Sequence, residues 1–490
     1  MDTLRLQNYR CLEDTGDVEI KPLTFLVGSN SSGKSSFLKF FPLLRQSMMI
    51  RKRGAFLWTG HDVDLKDFSN MLRHGTDKMD INFSLHDVSI SKRMRTLSKV
   101  SFSRVKVQLT LQKYQEHFDS ITNLKIALPN HTIEFDVTNK VIMKVGSVCS
   151  SELKDEIELT ETSSLFSRLY FSQKGSHGEE SFNCVALARK IAEKYMQDTS
   201  KFSFLLIFSK IGISKEELKY RIEGAWKKNV EDEDLDKFFD LNYYYNANNI
   251  LDSINIYMLS LAKNISYIGP LREATERYYR FQNYAVDEIE PDGSNLAMYL
   301  YNLDANDLDN LNAWLSDIFQ FKIKVHSIGG HVELKVEEKG KVEENLVDIG
   351  FGYTQILPIL VTIWKKISKD IFINQDPNLF NAVHLIAIEQ PELHLHPRFQ
   401  SFFAEVLVNA IIKSQKENND VRFIIETHSE MILNKIGESI AEKHLDRKLV
   451  NVVLFNAQNE NMNNYVEFSS YSEDGFLTHW PIGFFAENVD

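Results

Sequence analysis

The sequence lacks most of what would place it outside a reducing compartment or in a membrane. Three cysteines, Cys11, Cys149 and Cys184, are scattered over 490 residues. They form neither a disulfide framework nor a metal-ligand spacing, which favours a reducing environment. Apolar runs such as Ile356–Trp364 and Ala382–Ile388 are of core length, well short of the roughly 20 residues that a membrane helix needs. The N-terminus carries Asp2, Arg5 and Arg10 without an apolar stretch, so no signal peptide is expected and the chain is expected to be cytoplasmic. Basic charge is outnumbered, with 56 Lys+Arg against 68 Asp+Glu and a net charge of −12. There is no global basic field for nucleic acid, and any such binding needs a local patch or a partner. No heptad pattern persists for three or four repeats, which argues against a long coiled-coil arm. Internal repeats and low-complexity tracts are absent too. What remains is the composition of a soluble globular protein, 43% hydrophobic and 25% charged, with length for two or three domains or for one with large insertions.

Against that background one stretch stands out. Residues 25–40 read Phe-Leu-Val-Gly-Ser-Asn-Ser-Ser-Gly-Lys-Ser-Ser-Phe-Leu-Lys-Phe. Gly28, Gly33, Lys34 and Ser35 complete the pattern G-x-x-x-x-G-K-[ST]. Leu23–Val27 predicts a short buried strand, and Lys34–Gln46 an apolar-periodic helix. Glycines let the backbone turn tightly and bring N–H groups onto phosphate oxygens. Lys34 would neutralise the β- and γ-phosphates, the Ser35 hydroxyl would ligate Mg²⁺, and the helix would aim its positive end at the same anion. Gly28, Ser29, Asn30, Ser31, Ser32, Gly33, Lys34, Ser35 and Ser36 are therefore the candidate residues for a nucleoside triphosphate.

Along the chain, Met1–Tyr9 and Asp17–Ile20 alternate like paired strands. Period-two alternation returns at Ile81–Leu85, Val105–Leu109 and Ile133–Val137, predicting antiparallel strands with one wet face. Lys92, Arg93, Arg95, Lys99, Arg104 and Lys106 make the most basic segment. It reads either as a phosphate-contacting surface or, more plainly, as an edge strand protected by charge. From about Glu179 to Asn264 the pattern is helical, with Leu251, Ile254, Met258 and Leu261 at three- and four-residue steps. The acidic run Glu231–Asp236 reads as a surface turn. Leu308–Phe319 predicts an amphipathic helix, and Gly329-Gly330 a hairpin between Phe321–Val325 and Val332–Val336. From Val347 helix and buried strand alternate, the pattern of an α/β core. The expected division is an ATPase head split between residues 1–80 and 266–490, with a β-rich and helical region inserted at 81–265.

Three further segments fit the phosphate loop. Ala382–Glu389 is an apolar strand ending in an acid, which would emerge at the carboxyl end of a sheet, where ligands bind. Glu389 is the candidate for the Mg²⁺ shell. Gln390-Pro391-Glu392-Leu393-His394-Leu395-His396-Pro397 follows. His394 and His396 have no further ligand at a suitable spacing, so a packed or polar loop role is expected of them. Val421–Ser429 is a second such strand, and His428 could hydrogen-bond a γ-phosphate and sense it. Asp348-Ile-Gly350-Phe-Gly352-Tyr-Thr354-Gln355 precedes an apolar helix expected at Ile356–Ile367, with two glycines ahead of its N-terminus as a second anion cradle.

In this order the motifs resemble the ABC-type ATPase heads of the SMC, RecF and OLD families. The resemblance implies that Gly28–Ser35 is the Walker A loop, Gly350–Gln355 the signature, Glu389 the Walker B acid and His428 the switch histidine. It further implies that ATP on one head is covered by the signature of a second. Gly-Pro-Leu-Arg272, Gly350-Phe-Gly-x-x-Gln355, Glu389-Gln-Pro-Glu-Leu-His-Leu-His-Pro397 and the tail Asp474-Gly-Phe476 with Trp480-Pro-Ile-Gly-Phe-Phe485 are similar to a group of prokaryotic single-head ATPases. Several of these are ATPase subunits of two-gene anti-phage systems, of the Septu and PARIS kind.

Two departures shape the expected function. Where the family pairs Asp with Glu, this chain has Glu389-Gln390. Glutamine cannot act as a general base, so Glu392 is the nearest substitute and hydrolysis is expected to be slow. The acidic Asp-x-Asp cluster of OLD nucleases has no counterpart in residues 429–490, so a built-in nuclease of that type is not expected. The leading expectation is an ATPase that forms ATP-held homo-oligomers and acts as sensor or scaffold for a separate nuclease or toxin, triggered by phage or nucleic acid. The alternative is an SMC- or RecF-like ATPase that grips DNA directly in repair or chromosome maintenance.

Overall fold

In the computed structural model, residues 1–90, 100–114, 118–160, 165–166, 168–172, 183–196, 207–208, 211–270, 272, 276–281, 286–349, 351–368, 383–455 and 466–479 are described. They form two compact units. The first comprises Met1–Arg10, Gln46–Thr59 and Leu65–Ser260, the second Cys11–Arg45, Gly60–Asp64 and Leu261–Asp490.

The first unit is built on period-two alternation. Thr3–Tyr9 pairs antiparallel with Lys78–Ile90, which pairs with Val100–Tyr114 and so on through Phe118–Ala127, Thr132–Asp136 and Ile142–Val145. Ile81 lies opposite Leu109 and Phe83 opposite Val107. All four are buried, so cross-strand apolar pairs stack on one face. Arg104 and Lys106 stand exposed on the other. Their strand has a neighbour on each side, so it is an interior strand with a wet face and not the edge strand suggested above. Lys92, Arg93, Arg95 and Lys99 lie outside the described residues.

The acidic run Glu231–Asp236 is not a turn. Asp232–Tyr245 is a helix, and Asp232, Glu233 and Asp234 occupy its first turn, where negative charge complements the exposed N–H groups. Asp234 is buried and accepts from Lys194 Nζ and the Tyr195 hydroxyl. Leu251, Ile254, Met258 and Leu261 are buried along Ala247–Lys263, as their spacing predicts.

The second unit holds the parallel architecture. Its six-stranded sheet runs Ile265–Ile268, His384–Glu389, Val421–Glu426, Leu23–Gly28, Val450–Phe455 and Val466–Ser469. The first five strands are parallel and the last is antiparallel. Every residue of Leu23–Gly28, His384–Glu389 and Val421–Glu426 is buried, the signature of strands covered on both faces. Phe25, Val27, Ile386, Ile388, Phe423 and Ile425 belong to one core with Leu360, Trp364, Phe403 and Leu407 of the flanking helices. Gly329 and Gly330 turn the hairpin between Phe321–Ile328 and His331–Glu338, both at positive φ, as the Gly-Gly pair predicts.

The register positions the site. Glu389 pairs with Glu426, and Glu426 pairs with Leu26. The carboxyl ends of three adjacent strands are thus level, with the phosphate loop leaving from one of them.

Candidate nucleotide site

The loop after Leu23–Gly28 is shaped by backbone that ordinary residues avoid. Gly28 has φ 146° and Gly33 φ 106°. A Cβ on Gly28 would lie 2.1 Å from the Phe455 carbonyl oxygen, so glycine is what lets the loop strand run against Val450–Phe455. Lys34 is buried and donates to the carbonyls of Gly28 at 2.7 Å and Ser29 at 2.6 Å. Burial lowers its pKa while Glu426 and Glu392 oppose that shift.

The helix expected over Lys34–Gln46 is broken in two. Lys34–Leu38 ends at Lys39, and Phe40–Met49 follows. Pro42 has no N–H to give to Leu38 and crowds the preceding turn, which accounts for the break. The break brings Lys39 Nζ to 3.6 Å from Glu389 Oε1.

Three acids gather at the strand ends, each with distinct partners. Glu389 is buried and accepts from the Tyr267 hydroxyl at 2.8 Å. Burial pushes its carboxyl up to about 7, against the pull of Lys39. Glu426 is buried and accepts from Ser35 Oγ at 2.9 Å. Burial raises its pKa against that hydrogen bond and the Lys34 charge. Glu392 accepts from the His428 backbone N–H at 2.6 Å and the Thr427 hydroxyl at 2.8 Å, and burial raises its pKa as well. His428 is pushed down to about 4 by burial and by Lys34, so its ring is neutral at physiological pH.

Gln390 holds φ 43° and gives its backbone N–H to the Glu426 carbonyl at 2.9 Å. A non-glycine residue in this conformation is strained, and such strain gathers at functional sites. Arg272, near the end of the neighbouring strand, donates to the Glu389 carbonyl at 3.2 Å.

The structure therefore brings Gly28, Ser29, Lys34, Ser35, Glu389, Gln390, Glu392 and His428 into one network. Gly350 lies outside the described residues. The apolar helix begins at Phe351, not near Ile356, so Gly352, Thr354 and Gln355 lie within it and do not precede it. Gly352 packs beside Phe399 and Leu395, and the Tyr353 hydroxyl donates to Glu338 at 2.7 Å. These contacts hold the turn helical where the two glycines suggested a loop. His394 is exposed, and His396 caps Pro397–Lys416 by accepting from the Arg398 N–H. That is the polar loop role expected of this pair. Sequence reasoning passed over Glu426, Lys39 and Tyr267. The acid in Ile-Ile-Glu426-Thr-His428 has the same strand-end position as Glu389, which was the available signal.

The residues fit a magnesium nucleotide. Ser32 Oγ and Glu426 Oε2 are buried without a hydrogen-bond partner, so one hydroxyl and one carboxylate oxygen are held ready beside the loop. A cationic Lys34, a hydroxyl and hard carboxylate oxygens are the donor set for phosphate and Mg²⁺.

Residues 1–433 match the family described as AAA ATPase domain (AAA_15). The chain belongs to this family. Nucleotide binding and ATPase chemistry follow from that membership in general terms, and the mixed α/β ATPase fold is as the sequence predicts. Among curated relatives, this AAA ATPase is 28% identical over 223 residues to endonuclease GajA of Bacillus cereus (strain HuB5-5), covering 41% of this chain and 32% of that one. It is 24% identical over 129 residues to the Retron Vc95 probable ATPase of Vibrio cholerae serotype O1 biovar El Tor, covering 26% and 22%. The match thus spans about a third of the first relative's length and about a fifth of the second's. The SMC head domain from Thermotoga maritima aligns over 96% of this chain and 98% of that one, at 8% identity and a TM-score of 0.35. No helix among the described residues is long and apolar enough to cross a membrane.

Proposed function

We propose that this chain is an ABC-type ATPase that binds ATP and Mg²⁺ at Gly28–Ser36. A homo-oligomer forms through ATP-sandwiched heads, in which Gly350, Gly352, Thr354 and Gln355 of a second copy cover the nucleotide. The observation that carries this reading is the convergence of Lys34, Ser35, Glu389, Glu392 and His428 at one edge of the parallel sheet. Mg²⁺, when bound, supplies charge neutralisation at the β- and γ-phosphates. The chain's own residues do the rest. Lys34 holds the loop and the phosphates, Ser35 and Glu389 hold the ion, and neutral His428 reads the γ-phosphate. Gln390 cannot take a proton, and both oxygens of Glu392 are engaged by His428 and Thr427. Hydrolysis is therefore slow, and ATP acts mainly as a switch between open and closed heads.

In this reading residues 1–80 and 266–490 form the head, and 81–265 supply contacts to partners. The cytoplasmic assembly controls a separate effector, a nuclease or toxin, in prokaryotic anti-phage defence, with phage or nucleic acid as trigger. The names of the relatives, an endonuclease and a retron ATPase, support a setting in which an ATPase works with a nucleic-acid effector. Nuclease activity is assigned to the effector, not to this chain alone.

The test is sedimentation of the purified chain with and without ATP and Mg²⁺, beside Lys34→Ala. ATP-dependent association lost in Lys34→Ala supports the reading. Association that ignores nucleotide refutes it, and metal-dependent cleavage of DNA by the isolated chain returns the nuclease to this protein. The exposed Arg104 and Lys106 favour one second reading, direct DNA binding. It requires ATP-stimulated, steeply salt-dependent affinity that falls in Arg104→Ala/Lys106→Ala.

A further inference from the structure

We infer that Glu426, on the strand between the phosphate loop and Glu389, is the carboxylate that orients Ser35 toward Mg²⁺ and receives one of the ion's waters. This rests on the nucleotide-site reading above and deepens it. Ser35 Oγ donates to Glu426 Oε1 at 2.9 Å. A serine hydroxyl has one proton and two lone pairs. With the proton committed to Glu426, the lone pairs are left for a metal. This is how an outer carboxylate fixes the orientation of a ligating side chain.

The second oxygen, Glu426 Oε2, is buried and has no hydrogen-bond partner. Leaving a carboxylate oxygen buried and unsatisfied is costly. Mg²⁺ keeps several of its waters and is held by one or two carboxylates together with phosphates. A metal-bound water is the donor that this oxygen lacks.

Glu389 is differently placed. Its Oε1 already accepts from Tyr267 and lies 3.6 Å from Lys39 Nζ. Its strand is one step further from the loop strand than that of Glu426. Two acids at level positions thus divide the work. Glu426 faces the Ser35 hydroxyl, and Glu389 faces a lysine and a tyrosine.

The experiment measures binding of a fluorescent ATP analogue to the full chain, first in EDTA and then across a MgCl₂ titration. Glu426→Gln raises the Mg²⁺ concentration at half-maximal binding by tenfold or more, the usual consequence of losing an outer-shell carboxylate. Its affinity in EDTA does not fall, because the loop amides are unchanged and Lys34 loses only a competing negative charge. Ser35→Ala shifts the Mg²⁺ midpoint likewise, and the double variant adds less than the sum, since the two side chains act as one unit. Glu426→Asp keeps the charge and gives an intermediate midpoint; it stands in if Glu426→Gln does not fold. A wild-type Mg²⁺ midpoint in Glu426→Gln, or fully additive shifts in the Ser35→Ala/Glu426→Gln double variant, overturns the assignment. Absence of nucleotide binding by the wild-type chain, with or without metal, overturns the nucleotide-site reading itself.

Discussion

Glu389→Gln is expected to stabilise the nucleotide-free protein, and to do so increasingly as pH rises. Burial pushes the Glu389 carboxyl from 4.5 up to about 7. Between those values the folded protein holds a proton that the unfolded chain has released. The unfolded state binds fewer protons, so stability falls with rising pH through this window. A shift of about 2.5 units at about 1.36 kcal/mol each amounts to roughly 3 kcal/mol. Glutamine copies the protonated carboxyl in shape and keeps an oxygen to accept from Tyr267. Taking the protonated form as reference, the variant's advantage grows from about 1 kcal/mol at pH 5 to roughly 3 kcal/mol at pH 8. His428 works in the opposite sense. Its pKa is pushed down to about 4, so its contribution rises with pH from there to its unfolded value, but it is common to both proteins and drops out of the difference. The two units need not unfold together. The assay is therefore hydrogen exchange of the strands 384–389 and 421–426 in EDTA, read as opening free energies at pH 5 and pH 8. An advantage that does not change with pH would falsify the claim that burial keeps this carboxyl protonated.

Further tests probe other parts of the head. Gly28→Ala places a Cβ 2.1 Å from the Phe455 carbonyl oxygen and is expected to cost at least about 2 kcal/mol, seen as a lower urea midpoint; a midpoint within error of wild type contradicts the packing described. Glu392→Ala removes the acceptor for the His428 N–H and the Thr427 hydroxyl. It should cost about 2–3 kcal/mol and speed exchange of the His428 amide, while unaltered protection would show that the bond is not formed in solution. Glu392→Gln should prolong ATP-held dimers if Glu392 takes the proton during hydrolysis; an unchanged turnover rate in a phosphate-release assay rejects that role.

How far the sequence could be read depended on how local each determinant is. The phosphate loop is legible because Gly28, Gly33, Lys34 and Ser35 act within eight consecutive residues. The buried strands are legible because burial on both faces imposes an unbroken apolar run. Glu426 stands at a strand end like Glu389, but its meaning depends on strand order. Only the placement of Val421–Glu426 next to Leu23–Gly28 sets it against Ser35. Tyr267 meets Glu389 across 122 positions of sequence, a distance over which side-chain pattern carries no signal. The early start of the helix at Phe351 was hidden because Gly350 and Gly352 read as breakers, while the contacts of Tyr353 with Glu338 and of Gly352 with Phe399 lie far off in sequence. The acidic run at Glu231–Asp236 misled for the converse reason. Charge run and helix start share one composition, and Asp234 gains its partners Lys194 and Tyr195 only from the turn after Asn183–Ala192.

The two carbonyl bonds of Lys34 have a consequence for how the loop receives a phosphate. An ammonium carries three N–H groups, and two of them are spent on Gly28 and Ser29. Lys34 is thus a strut as well as a charge, spanning the loop it belongs to and keeping it open in advance. An arriving phosphate can accept a hydrogen bond from the third N–H without first dismantling that brace, so little of the binding free energy goes into ordering the loop. The same economy makes the position intolerant of arginine. A longer planar head would meet both carbonyls at the wrong reach, bending the loop even though the charge is kept.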